Sequence, residues 1–180
     1  MIQSKKELKK YLHVEEKIYH KKWYFLLPFF LTEQQVLYQH ARFLRKAEYA
    51  TNTGKFRRRW YLFRLLRIQT RYGISIPLNV LGEGFKMEHL GTVIINADCK
   101  VGKNCKIHPG VCIGGNKGKA PRIGDNVYLG PGAKLFGDIE IGDNIQVGAN
   151  AVVTKSCNRS GAILVGVPAE DILNRKEGEP

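Results

Sequence analysis

The chain has 180 residues, 43% of them hydrophobic and 25% charged. That is enough for one domain with a real core plus a small accessory segment, and the fractions are ordinary for a soluble globular protein. The net charge of +13 is not ordinary, and it sits at one end: residues 1–76 carry 17 Lys/Arg and 5 Asp/Glu, the remainder 12 and 11. Such asymmetry fits contact with phosphates, a membrane surface or nucleic acid, or else a solvated Lys-rich helical surface.

The opening MIQSKKELKK is followed by no apolar h-region, so no signal peptide is expected. Residues 1–73 predict a helical segment. Ser4 followed by Glu7 reads as a capped helix start. The longest apolar run, Trp23 to Leu31, is nine residues interrupted by Pro28, far short of the roughly 20 that span a bilayer. Thr32 opens a second helix, TEQQVLYQHARFLRKAEYA, with Val36, Leu37, His40, Phe43, Leu44 and Ala47 near one face. TNTG at 51–54 signals a turn. A third helix runs through KFRRRWYLFRLLRIQTRY, where Trp60, Phe63, Leu66 and Ile68 alternate with six arginines. It reads either as a basic amphipathic binder of a membrane or nucleic acid, or as a cap over the end of the C-terminal domain. No nucleic-acid motif is present.

From Ile76 the character switches to short β-branched stretches broken by Gly, Asn and Asp, a glycine density that helices do not tolerate. A six-residue beat runs through this region. Ile95, Val101, Ile107 and Ile113 are succeeded, after one longer loop, by Ile123, Leu129, Leu135, Ile141, Val147 and Val153. A short fixed repeat means a solenoid in which each turn buries its apolar row against the next. GKN at 102–104 and GDN at 124–126 and 142–144 recur in one phase, so Asp125 and Asp143 read as turn formers. Counting back by six from Ile95 lands on His89, where an aliphatic residue is expected, and a polar residue at such a position marks a functional candidate. His108, beside Ile107, is expected to point outward near His89.

From Ile113 to Ile123 the step lengthens, and GGNKGKAPR is expected to project from the wall. Gly115, Lys117 and Lys119 on it are candidates to line an anionic site. All four cysteines, Cys99, Cys105, Cys112 and Cys157, lie in the repeat region without a C-x-x-C pair. A zinc ribbon is therefore not expected, and reduced thiols in a cytoplasmic protein are. Pro168 ends the coils, and residues 173–180 form a polar tail.

The [LIV]-G-x-x-x-x repeat over residues 74–172 resembles the left-handed parallel β-helix of hexapeptide-repeat acyltransferases. Within that family MEHLGTVIIN, IHPGVCIGG, IGDNVYLGPGAKLFGDIEIGDNIQVGANAVV and GVPAEDI are similar to serine acetyltransferases. The resemblance implies about 18 residues per three-sided coil, a homotrimer or dimer of trimers with sites between subunits, and acetyl-CoA as donor. It implies His89 as general base, an imidazole suiting that role near neutral pH. Glu88, beside His89, and His108, one coil away, are candidate substrate contacts, and the resemblance places Gly115, Ala133 and Lys155, in IGG, GPGAK and VVTK, along the cofactor groove.

Two positions depart from the family. The aspartate expected 15 residues before the catalytic histidine is Ile74, and the second histidine expected in the longer loop is Ala120. His89 thus lacks an obvious carboxylate partner in the sequence, and a sugar hydroxyl competes with L-serine as acceptor. A zinc enzyme like the γ-type carbonic anhydrases shares this architecture, but only His89 and His108 lie in the repeat and no H-x-x-x-x-H spacing occurs; no metal is expected. A non-catalytic scaffold docked by its basic helices is the remaining class.

Overall fold

The computed structural model describes residues 1–19, 32–116 and 118–174. The apolar run 23–31 and Lys117 lie outside the described residues.

Three helices precede the repeat: α1 (Lys5–Tyr19), α2 (Glu33–Asn52) and α3 (Arg58–Tyr72). Their starts obey the capping signals. Ser4 Oγ accepts the Glu7 amide at 3.1 Å while Glu7 accepts the Ser4 amide at 3.0 Å, and Thr32 and Gln35 form the same reciprocal box for α2. α3 stops at Gly73, which takes the left-handed conformation that glycine adopts without strain (φ 69°).

Fourteen short strands come after α3: β1 (Ile74–Ser75), β2 (Lys86–Met87), β3 (Val93–Ile95), β4 (Lys100–Val101), β5 (Lys106–Ile107), β6 (Cys112–Gly114), β7 (Arg122–Ile123), β8 (Tyr128–Leu129), β9 (Lys134–Phe136), β10 (Glu140–Ile141), β11 (Gln146–Val147), β12 (Val152–Val153), β13 (Ile163–Val165) and β14 (Glu170–Asp171). They stack as three ribbons. Face 1 is β1-β3-β6-β9-β12, face 2 is β4-β7-β10, and face 3 is β2-β5-β8-β11-β13, with β14 antiparallel at its end. All other pairs are parallel, so the chain winds as a three-sided β-helix. Ile113 pairs with Leu135 and Leu135 with Val153, so the six-residue beat is the inward row. All ten of its members are buried. Complete burial of such a side chain stabilises by about 1.5–3 kcal/mol.

A second inward row lies two residues earlier and mixes Cys99, Cys105, Ala133 and Ala151 with the larger Val93, Val111, Val127, Ile139 and Ile145. Burial raises the Cys99 thiol to about 11 and the Cys105 thiol to about 12, so both stay protonated packing groups. The GKN and GDN corners stack as a ladder. Asn104, Asn126 and Asn144 have φ of 55–60°; Asn104 donates to Asn126 Oδ1 at 3.0 Å, Asn126 to Asn144 Oδ1 at 3.1 Å, and Asn144 to the Ser160 hydroxyl at 3.0 Å. Asp125 and Asp143 accept backbone amides of the preceding coil, which makes them structural.

The helices close the first coil. Arg45, 1% exposed, bonds Glu15 at 2.7 Å, Glu48 at 3.0 Å and the carbonyl of Leu81 at 2.8 Å. Tyr19 Oη accepts the Met87 amide at 3.0 Å. One apolar core runs from Leu37 and Leu44 of α2 into the coils, so the cap reading of the N-terminal helices matches the packing.

Candidate active site

The site forms where face 3 turns into face 1 in the first coil. Counting by sixes misplaces His89. The inward position of β2 is Met87, 0% exposed, which stacks on Ile107. From Met87 to Ile95 the chain takes eight residues, whereas Ile107 to Ile113 takes six. The two extra residues lengthen the corner 88–92, and His89 rides on it with its side chain 61% exposed. Gly91 lets this corner close on the coil beneath, because a Cβ there would meet Pro109 at 2.9 Å. His89 therefore does not interrupt the apolar row; a lengthened turn presents it to solvent.

The N-terminus of α2 grips the same corner. Glu33 Oε1 accepts the Leu90 amide at 2.7 Å, and Glu33 Oε2 lies 3.3 Å from His89 Nδ1. Gln34 Nε2 donates to the Glu88 carbonyl at 3.5 Å. A carboxylate only accepts, so this contact puts the imidazole proton on Nδ1 and leaves the Nε2 lone pair free. The family aspartate position is held by Ile74, which is buried, and the carboxylate arrives instead from a helix 56 residues upstream. The sequence reading missed Glu33; its one visible signal was its place beside the Thr32 cap.

His108 sits one coil away, its ring centroid 6.3 Å from that of His89 and 5.0 Å from that of Tyr128 in an edge-on contact. Partial burial pushes its pKa below the ordinary imidazole value, with Glu88 opposing and His89 adding to the shift. Glu88 is engaged by Lys86 in an ion pair. Glu88, His89, His108, Tyr128 and Glu33 thus form one cluster.

The expected cofactor residues lie elsewhere. Gly115 follows β6 and Lys155 follows β12, so both occupy the corner from face 1 into face 2, at the opposite edge of face 1 from the histidines. Gly115 is needed for its loop to fold back, since a Cβ would meet the Lys119 carbonyl at 2.6 Å. Lys155 is exposed, and Lys119 pairs with Asp138 at 3.0 Å. Ala133 points into the core, its amide bonded to the Gly130 carbonyl at 3.1 Å and its carbonyl to the Cys112 amide at 3.0 Å. Ala133 therefore packs the coil, with both its side chain and its backbone occupied.

Three parallel ribbons wound on a six-residue beat define the class: the chain is a three-sided parallel β-helix. A family model described as bacterial transferase hexapeptide (six repeats) matches residues 120–155. Within that class the chain is similar to serine acetyltransferases. It is 39% identical over 119 residues to that of Staphylococcus xylosus, covering 62% of this chain and 55% of the relative. It is 41% identical over 113 residues to that of Mycobacterium tuberculosis, covering 60% and 48%. The solved serine acetyltransferase of Neisseria gonorrhoeae in complex with serine matches with a TM-score of 0.71 at 26% identity, over 94% of this chain and 70% of that one. The chain spans about half the length of the curated relatives it matches.

Proposed function

We propose that the protein is an acetyl-CoA-dependent O-acetyltransferase with L-serine as acceptor and His89 as general base. The observation that carries this reading is the oriented, exposed imidazole: Glu33 engages Nδ1, and the side chain is 61% exposed, which leaves Nε2 as the proton acceptor. Nε2 takes the proton of the acceptor hydroxyl as that oxygen attacks the thioester carbonyl. The tetrahedral intermediate collapses with cleavage of the carbon–sulfur bond, and the imidazolium returns the proton to the departing sulfur. A thioester is already activated, so the protein's main work is to align two substrates and hold the base.

Glu88 and His108 face the acceptor in this reading. Gly115 and Lys155 lie across face 1 from His89, so the donor is held where a neighbouring subunit of a homotrimer brings its own corner to this one. Lys155 serves there as a point charge for a phosphate. The reaction belongs in the cytoplasm, where acetyl-CoA and reduced thiols coexist.

A saccharide acceptor is the second reading. Ile74 and Ala120, both buried, replace polar residues that the resemblance leads one to expect. Coenzyme A release measured with L-serine and, separately, with nucleotide sugars and oligosaccharides decides between them. Turnover at millimolar serine supports the first reading. Turnover of the sugars alone supports the second, and none with any hydroxyl acceptor refutes both.

A further inference from the structure

α3 is apolar on two faces, and the outer one is only partly accounted for by packing, Trp60 lying edge-on to Phe43 at 5.7 Å. Leu65 is buried, with Tyr61, Leu62 and Ile68 packed against the core beside it. On the opposite side Trp60, Phe63 and Leu66 are 52%, 55% and 57% exposed, and Phe56, just before the helix, is fully exposed. We propose that this outer face of α3, with the arginine-lined groove beside it, docks the protein on an anionic membrane surface.

The charge around the patch is of one sign. Residues 58–72 contain Arg58, Arg59, Arg64, Arg67 and Arg71 and no acidic residue. Between α2 and α3 runs a groove of about 350 Å³ whose walls include Phe63, Arg64, Arg67 and Arg71 and no carboxylate. The guanidinium groups are held on aromatic rings, Arg64 at 5.2 Å from the Phe43 centroid and Arg67 at 5.9 Å from that of Phe63. Planar arginine forks on rings match phosphate oxygens in a headgroup, while the aromatic and leucine side chains beside them fit the boundary between headgroups and acyl chains. Each basic side chain near an anionic leaflet contributes about 1 kcal/mol.

A second copy of the chain is the poorer occupant, because a shared face would set these arginines against their own kind with no carboxylate between them. Contact rather than insertion across the bilayer is meant: among the described residues no helix is long and apolar enough to cross a membrane. The patch and the groove contain none of the residues of the His89 cluster, so membrane docking stands apart from the proposed acetyl transfer.

The test is co-sedimentation of the full chain with phosphatidylcholine vesicles, with and without phosphatidylglycerol at about a third of the lipid, near 0.1 M salt. Binding to the anionic vesicles alone is expected. Two variants, F56S/F63S/L66S and R67E/R71E, each lower that binding about tenfold or more, with thermal melts close to the parent's because these side chains lie outside the core. Absence of binding to anionic vesicles, or binding that both folded variants retain, overturns the proposal. So does a sedimentation-velocity mass that drops in F56S/F63S/L66S without any vesicle binding, since the patch would then be an interface between copies.

Discussion

His89 takes its orientation from Glu33, a residue the repeat does not contain. Glu33→Gln keeps an acceptor for the Leu90 amide but removes the charge beside Nδ1. It is expected to lower kcat about tenfold or more and leave KM for acetyl-CoA unchanged, as steady-state kinetics will show. A larger effect on KM than on kcat would make Glu33 a binding group instead. His40 offers a stability prediction. It is fully buried in α2, its Nδ1 has no hydrogen-bond partner among the described residues, and burial lowers its pKa from 6.5 to about 4. The unfolded chain therefore takes up this proton first as the pH falls. Stability is present above pH 6.5 and is lost as pH drops from about 6.5 to about 4, by up to about 3 kcal/mol. Glu15, raised by burial to about 7 against the pull of Arg45, acts in the opposite sense between pH 4.5 and 7. It does so equally in His40→Leu, so the difference between the two denaturation curves isolates His40. At this scale the sequence pointed to His89 through a miscounted register, and Glu33 was hidden because its contact spans 56 residues and two kinds of element.

The elements differ in how plainly their sequence announces them. The β-helix was legible because its coils repeat one local solution: an inward aliphatic residue every six positions and a corner asparagine with positive φ. Replacing Asn126 by Ala keeps the backbone in a left-handed conformation without the side-chain bonds to Asn104 and Asn144. A loss of about 1–2 kcal/mol is expected by urea denaturation, and a smaller one for Asn126→Gly. The polar attachment of helices to coils was not legible, because its bonds, from Arg45 to the Leu81 carbonyl, from Met87 to Tyr19 and from Leu90 to Glu33, join residues far apart in the chain with no periodic signature. Arg45→Met strands Glu15 and Glu48 and frees the Leu81 and Gly82 carbonyls. It is expected to cost about 3–5 kcal/mol, and protease sensitivity should appear first in α1 and α2. The α3 pattern left a basic binder and a packed cap both open, and the structure divides the helix between them: Leu65 and Ile68 pack on the core, while Trp60, Phe63 and Leu66 stay largely exposed.

For the whole molecule, face 1 lies between the corner that carries His89 and the corner that carries Gly115 and Lys155, so the proposed function calls for a site shared between chains. Mixing His89→Ala protomers with Lys155→Glu protomers after dissociation is expected to restore acetyl transfer that neither variant shows alone; failure of mixed, properly assembled oligomers to recover any activity would place the entire site within one subunit. The similarity to serine acetyltransferases leaves the acceptor to experiment because Ile74 and Ala120 stand where polar side chains were expected. The most direct measurement is coenzyme A release from acetyl-CoA and L-serine by the full chain beside its His89→Ala variant. Serine-dependent release that falls about 10²–10⁴-fold in the folded variant is the predicted result. Release that the variant sustains at the parent rate would contradict a general base at His89.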